Sequence, residues 1–169
     1  MALVTSISSA PLMSIFIKRS IREKSFNFLL DRDLFYFTEV TNKSEILKEL
    51  SEKVSAKINF PAAKIFNEIW KREETMPTGI QNYLALPHAK MVIDEPVVTV
   101  AISKEGIDFS AFDGLKSKVI VLLITPTRES ELQLNLLAEI SNKFKDINKI
   151  ENILSIENTD KIFDELKKL

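Results

Sequence analysis

The chain has 169 residues, 45% of them hydrophobic and 28% charged, the size and balance of one globular domain. Folding at this length removes roughly 70% of the surface an unfolded chain exposes, and with no cysteines there are no disulfides, thiolate metal sites or cysteine nucleophiles. A formal net charge of -1, one histidine and three glycines leave no global basic field for nucleic acid, no multi-histidine metal site, no GxGxxG turn and no GxxxxGKS/T phosphate loop.

Met1 to Ile17 is apolar with Pro11 inside, and Lys18, Arg19, Arg22 and Lys24 come directly after it. A secretory signal places its positive charges before the apolar run, so the order here is wrong for one. The run is also marginal for spanning about 30 Å of hydrocarbon. Two readings stay open for residues 1–25: the tail of a longer membrane helix, whose trailing basic residues place the rest of the chain in the cytoplasm, or an amphipathic or disordered juxtamembrane arm. Ser25 to Asp33 reads as a connector, and residues 26–169 as one folded body.

Within that body strand and helix patterns alternate. Leu34 to Val40 is aromatic and β-branched and predicts a strand. Asn42 and Glu45 form an N-cap signal, and Ile46, Leu47, Leu50 and Val54 then recur at helical spacing to about Ala56. Pro61 suits the first turn of a second helix, in which Ala62, Ile65, Phe66, Ile69 and Trp70 form a core stripe. Val97 to Ile102 and Val119 to Ile124 are short unbroken apolar runs, as expected of strands covered on both faces. Between them lies a turn-bounded segment, Gly106 to Gly114, with Ile107, Phe109 and Phe112 inside. Pro126 and Thr127 should stop the second strand and cap a helix carrying Leu132, Leu136, Leu137, Ile140 and Phe144. Two shorter helices close the chain, one on Ile147, Ile150, Ile153 and Leu154, the other starting near Thr159. The expected architecture is α/β, with a mixed central sheet flanked by helices on both faces.

The candidate chemistry gathers at His88, which follows Pro87 at the end of an apolar stretch. The proline fixes its own φ and biases Leu86 to an extended conformation, so the imidazole sits on constrained backbone. A neutral imidazole with one nitrogen held by a hydrogen bond is a competent nucleophile near pH 7, and a phosphoryl group is its natural cargo. Arg72 and Lys90 are available to offset the charge and Thr78 to bond the oxygens. A lone histidine in a turn is also a common structural feature. The carboxylates at Glu73-Glu74 and Glu129 to Glu131 have the spacing of solvated helix ends rather than of an acid and base pair.

Arg72-Glu73-Glu74, then Pro77-Thr78-Gly79-Ile80-Gln81-Asn82, then Leu84-Ala85-Leu86-Pro87-His88-Ala89-Lys90, resembles the RE...TGIGNGxAxPHG block of the fructose/mannitol-type IIA domains of the bacterial phosphotransferase system, which include nitrogen-regulatory proteins. The likeness runs on through Gly106-Ile107-Asp108-Phe109, Asp113-Gly114 and Leu136-Leu137-Ala138-Glu139-Ile140. It implies a mixed sheet flanked by helices, no cofactor or metal, and His88 as acceptor of a phosphoryl group from the histidine phosphocarrier HPr or a paralogue. Arg72 takes the place of the family's active-site arginine, with Thr78 and Asn82 at polar positions of the block. Gln81, Tyr83 and Ala89 replace family glycines, and Gln133 stands where many members carry a second histidine. A glutamine bonds phosphate without changing charge, which favours a regulatory role over onward transfer to a IIB domain. Ala2 to Ser6 and Ser9 to Met13 resemble the end of the last membrane helix of cation/proton antiporters, some of which carry a C-terminal IIA-like domain. The resemblance thus implies a cytoplasmic regulatory tail, tethered to the inner face of the membrane. A sugar phosphocarrier and a binding module without phosphorylation are the alternatives.

Overall fold

The computed structural model describes residues 24–169, and the expected membrane-helix tail lies outside them. In chain order the elements are α1 (Phe26–Leu29), a 3-10 turn (Arg32–Leu34), β1 (Phe35–Thr38), α2 (Lys43–Ile58), α3 (Ala62–Thr75), β2 (Leu84–Ala85), β3 (His88–Met91), β4 (Val97–Ile107), β5 (Ser117–Pro126), α4 (Ser130–Lys143), α5 (Ile147–Leu154) and α6 (Thr159–Lys168). Among the described residues no helix is long and apolar enough to cross a membrane.

The sheet runs β1, β4, β5, and then β2 and β3 end to end along the far edge of β5. β4 and β5 are antiparallel, with Val100 opposite Val121, while the other pairings are parallel. The expected mixed sheet is therefore present. Alternation along β5 explains the unbroken apolar run: Val119, Val121 and Leu123 face one core, Ile120, Leu122 and Ile124 the other. The first core is closed by Leu136 and Ile140 of α4, Ile150 of α5 and Phe163 of α6. The second is closed by Leu47 and Leu50 of α2 with Ile65 and Ile69 of α3. Each such side chain, taken fully out of water, contributes about 1.5–3 kcal/mol.

Local signals set most element ends. The Asn42 side chain accepts from the Ser44 and Glu45 amides at 2.8 and 3.3 Å, starting α2. Asn59, left-handed at φ 51°, ends it, and Pro61 immediately precedes α3. Asp146 and Asn158 cap α5 and α6 in the same manner as Asn42.

Two expectations change. Ser25 to Asp33 is not a mere connector: Phe26 is fully buried and its amide donates to Glu139 Oε2 at 3.1 Å, so α1 is part of the core. Thr127 does not cap α4, because its amide still donates to Met91 O at 2.9 Å as an extension of the strand ladder. The helix begins three residues later, after Glu129. Within the Gly106 to Gly114 segment Phe109 is buried and Phe112 is 92% exposed.

Candidate phosphoacceptor site

His88 opens β3 at the break between the two edge segments. Pro87 occupies that break, where its missing N–H costs no ladder bond and its carbonyl still accepts from Leu123 N at 3.0 Å. The half-buried imidazole has Nδ1 2.8 Å from Leu86 O and Nε2 3.2 Å from Arg72 Nε. A carbonyl only accepts and a guanidinium only donates, so Nδ1 carries the hydrogen and Nε2 presents its lone pair. Burial pushes the His88 pKa below its ordinary 6.5; the Leu86 carbonyl opposes that push and the Arg72 charge adds to it. The ring is therefore neutral at pH 7.

Arg72 lies in the last turn of α3, where its Nη1 also donates to Met76 O at 3.0 Å. Its neighbour Glu73 is buried, contrary to the solvated helix end expected for it. One carboxylate oxygen accepts from Lys43 Nζ at 3.0 Å. The other accepts from Thr78 N at 3.1 Å and Thr78 Oγ1 at 2.5 Å. The sequence did carry a sign of this, since Glu73 continues the i, i+4 stripe of Ile65 and Ile69.

Arg72, Thr78 and His88 line one cleft of about 260 Å³, together with Gly79, Phe112 and Leu137. The Thr78 hydroxyl points to Glu73, not into the open cleft. Asn82 is turned away: its Nδ2 donates to Phe144 O and Lys145 O at 3.0 and 2.9 Å, clamping the end of α4. Lys90, two residues along β3 from His88, donates to Ser130 Oγ at 3.0 Å. Gln133 is buried in α4, one turn before Leu137, and its Nε2 has no partner among the described residues.

Of the three positions where the resemblance expects glycine, Tyr83 has a positive φ. Asn82 and Tyr83 are both left-handed, at φ 55° and 65°, and Leu84 N closes the turn onto Gln81 O at 3.1 Å. Tyrosine in that region is strained. It is held by Glu151 at 3.1 Å from its hydroxyl, and its carbonyl accepts from Lys118 N and Val119 N at 2.8 and 2.9 Å. Gly79 is needed for close approach: a Cβ there would meet Phe109 O at 2.5 Å.

A neutral imidazole with one unprotonated nitrogen beside a guanidinium is a pairing suited to nucleophilic capture of a phosphoryl group. The family model "Phosphoenolpyruvate-dependent sugar phosphotransferase system, EIIA 2" matches residues 28–169, and the chain belongs to that family. The nitrogen regulatory protein of Pseudomonas aeruginosa is 28% identical over 102 residues, covering 59% of this chain and 66% of that one. The fructose-specific EIIA component of Haloferax volcanii is 31% identical over 97 residues, covering 57% and 63%. The chain thus spans just under two thirds of the length of these relatives. Nitrogen regulatory protein IIA-Ntr from Neisseria meningitidis has the same fold, with a TM-score of 0.77 at 20% identity over 83% of this chain and 97% of that one. The mannitol IIA of Escherichia coli superposes with a TM-score of 0.68 at 17% identity over 81% and 98%.

Proposed function

We propose that the chain is a regulatory IIA-like domain that accepts a phosphoryl group on Nε2 of His88 from HPr or a paralogous phosphocarrier. The observation that carries this reading is the paired geometry at the imidazole, with Nδ1–H held by Leu86 O and Arg72 Nε at Nε2. In the transfer, the Nε2 lone pair forms the new N–P bond as the donor's own bond to phosphorus breaks. The donor's leaving group takes that bond's electron pair. The Leu86 carbonyl stabilises the positive charge that grows on the His88 ring. Arg72 moves from the ring nitrogen to the phosphoryl oxygens, with Lys90 adding positive charge and Gln133 a neutral amide donor. Thr78 and Asn82 support the loop rather than touch the cargo.

A glutamine at position 133 and the likeness to nitrogen regulatory proteins favour regulation over sugar transfer. The apolar-then-basic start favours a cytoplasmic tail of a cation/proton antiporter, tethered at the membrane, as the output. A phosphocarrier role toward a sugar-specific IIB domain is the second reading, supported by the fructose-specific relative.

Intact-mass spectrometry after incubation with phosphoenolpyruvate, enzyme I and HPr tests the acceptor. One added phosphoryl group that His88→Ala abolishes is the expected outcome; no added mass with HPr or its paralogues sinks it. Loss of the label to a IIB domain within seconds would favour the sugar carrier, and antiporter activity indifferent to His88→Ala would remove the regulatory output.

A further inference from the structure

Glu73 has no part in the phosphoryl transfer itself, yet it is the most deeply buried carboxylate in reach of the site, its side chain only 2% exposed. Three donors converge on it: Lys43 Nζ from α2 at 3.0 Å, and the Thr78 amide and hydroxyl at 3.1 and 2.5 Å. Its charge is thereby compensated. From Thr78 the connection continues toward the histidine. The Thr78 carbonyl accepts from Leu86 N at 3.0 Å, and the Leu86 carbonyl accepts from His88 Nδ1 at 2.8 Å. Glu73 also adjoins Arg72, so both groups that flank the imidazole are fixed relative to one carboxylate. A buried ion pair adds little net stability over an apolar pair of the same size, so what it contributes here is geometry.

We propose that Glu73, braced by Lys43, is a positioning residue that holds His88 in the Nδ1–H tautomer and so keeps Nε2 unprotonated. The pair sets Thr78, Thr78 sets the Leu86 segment, and the Leu86 carbonyl selects the ring nitrogen that keeps its hydrogen. This rests on His88 being the acceptor, but the tautomer is measurable without any phosphoryl transfer.

Because the chain has one histidine, its long-range ¹H–¹⁵N imidazole spectrum belongs to a single ring. The spectrum is recorded for the full chain as wild type, Glu73→Gln, Lys43→Met, Thr78→Val and Thr78→Ser, at a pH where the ring is neutral. Wild type is expected to show the Nδ1–H form. Glu73→Gln shifts the population toward Nε2–H, Lys43→Met does so less, and phosphoryl uptake by Glu73→Gln falls by on the order of 100-fold. Where Glu73→Gln does not fold, the threonine pair decides: Thr78→Val shifts the tautomer and Thr78→Ser restores it. A wild-type tautomer in folded Glu73→Gln and Thr78→Val overturns the proposal. Should wild type take up no phosphoryl group, the phosphoacceptor reading fails, and the tautomer shifts alone decide for or against Glu73.

Discussion

On the α3–β3 side, Arg72, Glu73, Thr78 and His88 are held by hydrogen bonds of 2.5 to 3.2 Å, whereas on the α4 side Gln133, which is not among the residues lining the cleft, is buried with its Nε2 unpartnered among the described residues. The first side has its polar groups matched before any ligand arrives, so little reorganisation is needed there. The second keeps a donor in reserve at a desolvation cost. The difference separates a prearranged polar network from a buried amide whose donor is still unpaired.

Breaking the ordered side should have the largest effect. Arg72→Met is expected to slow phosphoryl uptake by about 100-fold to 1,000-fold, the cost of removing one charged donor from a developing anion. Rapid-quench time courses with a fixed donor concentration read this directly, and a loss below fivefold would show that Arg72 does not reach the phosphoryl group. Gly79→Ala attacks the same side through the backbone, since its new Cβ would meet Phe109 O at 2.5 Å and Ala111 N at 2.8 Å. A destabilisation of about 1–3 kcal/mol by urea unfolding is expected.

The reserve side should respond in the opposite sense. Gln133→Leu removes the unsatisfied amide and should stabilise the fold by about 1–2 kcal/mol while slowing uptake severalfold. A stability loss instead would mean that Gln133 is partnered in solution. The smallest effect is the pH dependence contributed by His88. Its folded pKa lies below the ordinary 6.5, so the unfolded chain binds the proton first and this contribution is full above pH 6.5. It is lost as pH falls from 6.5 through the depressed folded value, and then levels off. His88→Gln should flatten that part of the profile, whereas uptake by wild type should be nearly constant above pH 6.5.

Much of the scaffold was legible because it rests on local rules. The β5 run, the Asn42 cap and Pro61 before α3 each encode their element within a few residues. Pro87-His88 stood out as a constrained backbone carrying the only histidine, but that chemistry alone fitted a structural histidine as well, and it was the resemblance of the surrounding block that made it the candidate acceptor. What escaped depends on distant partners. Glu73 looked like a helix-end carboxylate until Lys43, 30 positions earlier in the chain, was placed against it. Phe26 looked like linker because the core that swallows it includes α4, and its backbone amide bonds Glu139 on that helix. Thr127 had the chemistry of a cap but its amide is taken by Met91 in the strand ladder. Tyr83 has the wrong chemistry for its left-handed turn and keeps it through Glu151, a contact no local pattern reveals.

Asn82 and Tyr83 also bear on when the turn before the histidine is completed during synthesis. The turn before the histidine is clamped by Phe144 O, 62 positions downstream of Asn82, and by Glu151, 68 positions downstream of Tyr83. A nascent chain that has emerged only through β5 holds the hydrogen bond from Leu84 N to Gln81 O and those on the Tyr83 carbonyl, but not the two downstream clamps, Phe144 O and Glu151. Contacts of such long sequence separation form late, after the intervening loop entropy has been overcome. The full set of contacts around this turn is therefore a property of the finished domain, whereas the partners of the His88 ring, Arg72 and Leu86, precede it in the chain.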